Sequence, residues 1–165
     1  MFLQKENVSS SNTHIKEKVQ KLENFIRTNI PASEFMDVHV TELSNHSIKI
    51  SAPHEPNSNH YGTTFGGSIS TLGIIAGWAL IHFKMDEEKI ETVLAIQESK
   101  TKFYVPIKNE IEAVNNSLPP EAWEEFRDEF LKTGKAKIRI RSEIYSGGNL
   151  CAMHEGCYVA LPKKN

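Results

Sequence analysis

The run Asn57-Ser58-Asn59-His60-Tyr61-Gly62-Thr63-Thr64-Phe65-Gly66-Gly67-Ser68 brings together what carbonyl chemistry needs. When a thioester carbonyl becomes tetrahedral or enolate-like, negative charge grows on its oxygen. Backbone N–H groups at a helix N-terminus, aided by the helix dipole, stabilise that charge. Gly66 and Gly67 open an apolar stretch and would let a substrate touch the backbone there. Asn57, Asn59, Thr63, Thr64 and Ser68 offer neutral polar contacts around it, and Phe65 offers a pocket wall. His60, an imidazole, can activate water as a general base. Glu98, on a later strand, is the second candidate base. The residues expected to act on the reacting group are therefore Asn59, His60, Thr63, Gly66, Gly67 and Glu98. Those expected to bind the substrate are Asn57, Thr64, Phe65 and Ser68. Plainer readings exist for each: Asn forms turns, Ser and Thr cap helices, glycine allows close packing.

These residues need a helix behind them. From Thr63 to Phe83 the chain is apolar on nearly every side, with Leu72, Ile74, Ile75, Trp78, Leu80 and Ile81 leaving no wide polar face. A helix of that kind is buried all round, so a sheet must wrap it. Strands are expected over 35–43, 47–52, 91–105, 110–115, 135–145 and 150–161. In 135–145 alternation is strict: Ala136, Ile138 and Ile140 fall on one face, and Lys135, Lys137, Arg139 and Arg141 on the other. An amphipathic helix precedes them, with Ile15, Val19, Leu22 and Ile26 at helical spacing, N-caps at Asn12 and Thr13, and a stop at Pro31. A second, 118–132, puts Trp123, Phe126 and Phe130 on one side. This order predicts an α+β domain over 13–165, an antiparallel sheet wrapped around one long buried helix. Residues 1–12 are expected as a flexible tail.

Composition narrows the functional classes. The 165 residues carry a net charge of -2, with 39% apolar and 24% charged side chains. No whole-chain basic field points to nucleic acid. The longest apolar run, 69–83, is shorter than the roughly 18–20 residues of a membrane span. The N-terminus lacks the apolar core of a signal peptide. Cys151 and Cys157 stand too far apart along one strand to bridge, which suits a reducing, cytoplasmic setting. His154 lies between them, but no compact ligand set implies a metal. The stripe Arg139 and Arg141, with Lys100 and Lys102, is either a solvated face or a patch for an acidic carrier protein or CoA phosphates.

The ordered run from Pro56 to Ser68, followed by Leu72, Ala76-Gly77-Trp78, Gln97-Glu98-Ser99 and Phe103-Tyr104-Val105-Pro106, resembles the thioesterase domain of the YiiD C-terminal type over roughly residues 30–162. That resemblance implies a hot-dog fold, a homodimer or dimer of dimers, and acyl-CoA or acyl-carrier-protein substrates with no separate cofactor. It implies thioester hydrolysis or, as in relatives associated with starting fatty-acid synthesis, decarboxylation of a malonyl thioester. Many hot-dog thioesterases carry a His before the Gly-Gly pair and an Asp or Glu about two turns into the helix. Here those positions hold Phe65 and the neighbourhood of Ile74. That departure also leaves room for a non-catalytic acyl-binding module.

Overall fold

The computed structural model describes residues 3–116 and 118–163; the outermost residues of the expected tail and of the expected domain lie outside it. The chain runs α1 (Leu3–Asn29), α2 (Pro31–Phe35), β1 (His39–Leu43), β2 (Ile48–Ala52), α3 (Gly66–Glu87), β3 (Val93–Phe103), β4 (Ile111–Asn115), α4 (Pro120–Thr133), β5 (Ala136–Ser146) and β6 (Asn149–Leu161). The six strands form one antiparallel sheet in the order β1-β2-β4-β5-β6-β3. α3 packs against every strand from β2 to β6. The sheet curls around it, and the architecture is the hot-dog fold that the apolar helix requires.

The α3 sequence explains its position. Leu72, Ala76, Ala79, Leu80 and Ile81 are fully buried, and Ile69, Ile75, Phe83 and Met85 nearly so. Full burial of each large aliphatic side chain contributes about 1.5–3 kcal/mol; the stripe Ser70, Ile74, Trp78 and His82 is only half-buried, so the helix is covered on most sides rather than all round. α3 has the length and composition of a membrane-spanning helix; the sheet supplies the apolar surroundings it needs. β5 shows the expected alternation. Ala136, Ile138, Ile140 and Ile144 are buried, while Lys135, Lys137, Arg139 and Arg141 are exposed.

Two boundaries differ from expectation. α1 begins at Leu3, ahead of the Asn12 and Thr13 caps, and takes in residues 3–12. Nothing between Leu3 and Ser11 is Pro or Gly, and Gln4, Lys5 and Glu6 favour helix. The strand expected from Phe35 starts only at His39. Pro31 opens α2 instead of merely ending α1, as suits proline at a first helical position. Ser33 Oγ donates back to Ile30 O (2.7 Å), and Asp37 turns the chain with φ 55°. Arg27 ties the corner together. It donates to Glu34 and to Asp37 (3.1 Å), holding both carboxyls below their ordinary range.

Candidate active site at the start of α3

The loop before α3 builds itself from short polar side chains. Asn59 Oδ1 accepts from the Tyr61 N–H (2.9 Å) and the Thr63 N–H (3.3 Å), while Asn59 Nδ2 donates to Thr63 Oγ1 (2.9 Å). The Asn59 N–H donates to Thr63 O and the Gly62 N–H to Asn59 O. Gly62 takes the left-handed φ of 70° that closes this loop. Asn59 and Thr63 are thus paired with each other.

Asn57 plays a different part from the one expected. It is 1% exposed, and its amide donates to Met36 O (2.9 Å) and Pro53 O (2.8 Å). Its own carbonyl accepts the Phe65 N–H (2.7 Å). Asn57 clamps the loop to the β1 corner, and its Oδ1 is buried without a hydrogen-bond partner. Thr64 is buried as well. Its N–H donates to Ile107 O (2.8 Å), and its hydroxyl pairs with His54 Nδ1 (3.0 Å). Both expected substrate contacts are therefore positioning residues, because a loop with no core of its own must be pinned through backbone carbonyls. His54 had no signal in the sequence.

The helix start itself is uncapped. The N-cap residue is Phe65, whose side chain can accept nothing, so no side-chain bond caps α3. Ile69 is the first residue whose N–H bonds back, to Phe65 O (3.1 Å). The N–H groups of Gly66, Gly67 and Ser68 have no partner among the described residues, and they point outward with the helix dipole behind them. Two exposed rings frame them. The Phe65 ring lies where a Cβ on Gly67 would stand, and the Phe103 ring lies 3.4 Å from where a Cβ on Gly66 would. Tyr61, Tyr104 and Val105 are also large, apolar and exposed. Exposed apolar residues in such number mark a binding or interface surface. His60 stands exposed in the same loop, its ring 3.9 Å from that of Tyr61.

The structure brings Asn59, Thr63, Phe65, Gly66, Gly67 and Ser68 together and adds Phe103, while His60 stands at the tip of the turn against Tyr61. It leaves out Glu98. A β-bulge between Ile96 and Glu98 shifts the register, so Glu98 stands opposite Cys157 on the sheet face away from α3. There it pairs with Arg139. Arg141, Lys100 and Lys102 lie on that same outer face, and Arg141 Nε donates to Glu155 (2.8 Å). The Arg141 guanidinium holds the Glu155 carboxyl below its ordinary range. The four cations do form one patch, but Glu98 and Glu155 are set among them.

The profile of the family described as "Putative thioesterase (yiiD_Cterm)" matches residues 19–162. Among solved structures, a protein of unknown function from Chlorobaculum tepidum TLS superposes with a TM-score of 0.86 at 26% identity, covering 90% of this chain and 97% of that one. A "putative thioesterase" from Shewanella oneidensis gives a TM-score of 0.76 at 25% identity, over 89% of this chain and 99% of its own. A probable thioesterase from Pseudomonas aeruginosa, 19% identical, shares the fold with a TM-score of 0.76, over 87% and 95%.

Proposed function

The chain belongs to the YiiD C-terminal thioesterase family, and from that premise we propose that it hydrolyses acyl thioesters at the start of α3. The observation that carries this reading is the set of three unpartnered N–H groups, on Gly66, Gly67 and Ser68, at an uncapped helix start. A thioester oxygen seated there gains hydrogen bonds as charge builds on it, and loss of one such donor typically costs about 10²–10³ in rate. Phe65 and Phe103 shield the oxygen from water and strengthen the interaction. Asn59 and Thr63 hold the loop in shape. His60 accepts the proton of the attacking water.

The acyl group arrives on coenzyme A or on an acyl carrier protein. The outer-face cations Lys100, Lys102, Arg139 and Arg141 favour an acidic carrier or CoA phosphates. The chain works as a homodimer or a dimer of dimers: β3, eleven residues long, lies at the open edge of the sheet, and such edges are normally covered. Two buried free cysteines, Cys151 and Cys157, suit a cytoplasmic protein.

One observation favours a second reaction, decarboxylation of a malonyl thioester. No residue of α3 before Asp86 is acidic, and near Ile74, about two turns in, no carboxylate is present to serve. Loss of CO2 needs a held carbonyl oxygen and a poorly solvated carboxylate, with no base. Mass spectrometry of the products separates these readings. Free CoA and free acid from a panel of acyl-CoAs supports hydrolysis. Acetyl-CoA from malonyl-CoA supports decarboxylation. Binding with no product would move the protein to the non-catalytic class.

A further inference from the structure

Beneath the middle of α3 lies a polar row that the site above does not use. His154 on β6 is fully buried. It stands between Ser142 on β5 and Thr101 on β3, its direct cross-strand partners, so all three face α3. Ser142 Oγ donates to Gly73 O (3.2 Å) and accepts from Asn115 Nδ2 (3.3 Å). His154 fits only because residue 73 is glycine: a Cβ there would come within 2.5 Å of His154 Cβ. Its Nε2 lies 3.0 Å from the hydroxyl oxygen of Ser99, two residues along β3 from Thr101 on the same face. Ser99 itself is exposed.

An imidazole sealed in a core, with one nitrogen unpartnered, is costly unless it serves something. His154 Nδ1 has no hydrogen-bond partner, and neither has the buried Thr101 Oγ1. A buried N–H without a partner costs more than a lone pair without one. This favours the tautomer with its proton on Nε2, donated to Ser99 Oγ. The hydroxyl oxygen of Ser99 is thereby engaged as an acceptor, and its own hydrogen is turned away from the core. Burial pulls the His154 pKa down to about 4, so the ring stays neutral near pH 7 and is a poor base. The pair is a fixed donor.

We propose that Ser99 grips the carrier arm of the thioester, donating its hydroxyl hydrogen to the carbonyl of the outer pantetheine amide, with His154 as its positioning residue. The inference rests on the thioester reading of the helix start. Phe103 marks that start, beside Gly66, and Ser99 lies four residues back along β3, about 13 Å away at the strand rise. In a pantetheine thioester the outer amide carbonyl is nine bonds from the thioester carbonyl, about 11 Å in an extended arm at backbone-like bond lengths. The inner amide, at about half that span, falls short.

The test compares two non-hydrolysable thioethers by calorimetry: an S-alkyl pantetheine, with both amides, and an S-alkyl N-acetylcysteamine, with the inner amide only. Ser99→Ala and His154→Leu should each weaken the pantetheine ligand about fivefold to tenfold, the loss of one hydrogen bond, and leave the shorter ligand unchanged. His154→Gln, which keeps a side-chain N–H donor but cannot act as a base, should bind the pantetheine ligand within about twofold of wild type. Ser99→Ala removes a single hydroxyl, so it keeps the test readable if the His154 variants fail to fold. Equal affinity of Ser99→Ala and wild type for the pantetheine ligand, an equal loss on both ligands, or no binding of the pantetheine ligand by wild type would overturn the proposal. Wild-type protein that binds the pantetheine thioether but turns over no thioester would sink the hydrolytic reading and leave this one standing.

Discussion

The two ends of the glycine pattern on α3 look alike in sequence and do opposite work. Gly73 and Gly77 sit in the wrapped middle of the helix, and each is a socket for a β6 side chain. His154 fills the first and Tyr158 the second, with the Tyr158 hydroxyl donating to Ile74 O (2.9 Å). Gly66 and Gly67 sit at the open start, and only the tips of two exposed rings stand against them. In the middle every helix N–H is used within the helix; at the start three are free. Glycine on the same helix thus serves packing where the backbone is satisfied and chemistry where it is not.

The comparison breaks most sharply at Gly66. Gly66→Pro removes one free N–H at a first helical position, where proline is tolerated, and Phe65 before it already has an extended ψ of 130°. Turnover should fall by about 10²–10³ while the melting temperature stays near that of wild type. A rate within about threefold of wild type would remove the helix start from the chemistry.

Acid should weaken the fold through the middle of the helix. His154 has an ordinary pKa in the unfolded chain and one of about 4 in the fold. Between these values the unfolded chain binds the extra proton, so stability is full above about pH 6.5 and falls as the pH drops toward 4. The loss is on the order of 3 kcal/mol at 1.36 kcal/mol per pKa unit. Urea titrations from pH 7 to 4 measure it, and His154→Leu should flatten the slope. An unchanged slope in that variant would contradict the assignment.

Gly73→Ala comes next. The added Cβ meets His154 Cβ, which is fixed to the backbone and cannot swing aside. Overpacking costs about 1–3 kcal/mol, partly offset by the better helix propensity of alanine. Thermal melting should show a loss of several degrees, with turnover per folded molecule nearly kept. Gly67→Ala should show the reverse, because the clashing Phe65 ring is exposed and free to move. The smallest effect belongs to the outer face. Arg139→Glu with Arg141→Glu should weaken carrier-protein binding in a salt-dependent way and leave small thioesters unaffected. Salt-independent affinity would show that the stripe is only a solvated face.

The elements were legible where periodicity is local. The apolar α3, the strict alternation of β5 and the Gly66-Gly67 pair at the helix start all follow from spacing alone. What was not legible depends on partners distant in sequence. The bulge at Gln97 turns Glu98 outward to Arg139, and no local pattern announces it. Asn57 looked like a ligand-binding amide because nothing in the loop shows that Met36 O and Pro53 O wait for it. His154 drew notice only as a possible metal ligand; its real partners, Gly73 and Ser99, are brought to it by α3 packing and β3 pairing.

The most direct test of the central claim reads the three free donors themselves. An acyl-CoA analogue in which CH2 replaces the thioester sulfur keeps the carbonyl and cannot be cleaved. Added to isotope-labelled protein, it should shift the amide proton resonances of Gly66, Gly67 and Ser68 downfield, as new hydrogen bonds form, and leave those of Gly73 and Gly77 in place. Saturable binding that moves other amides and leaves all three of these unshifted would contradict the account.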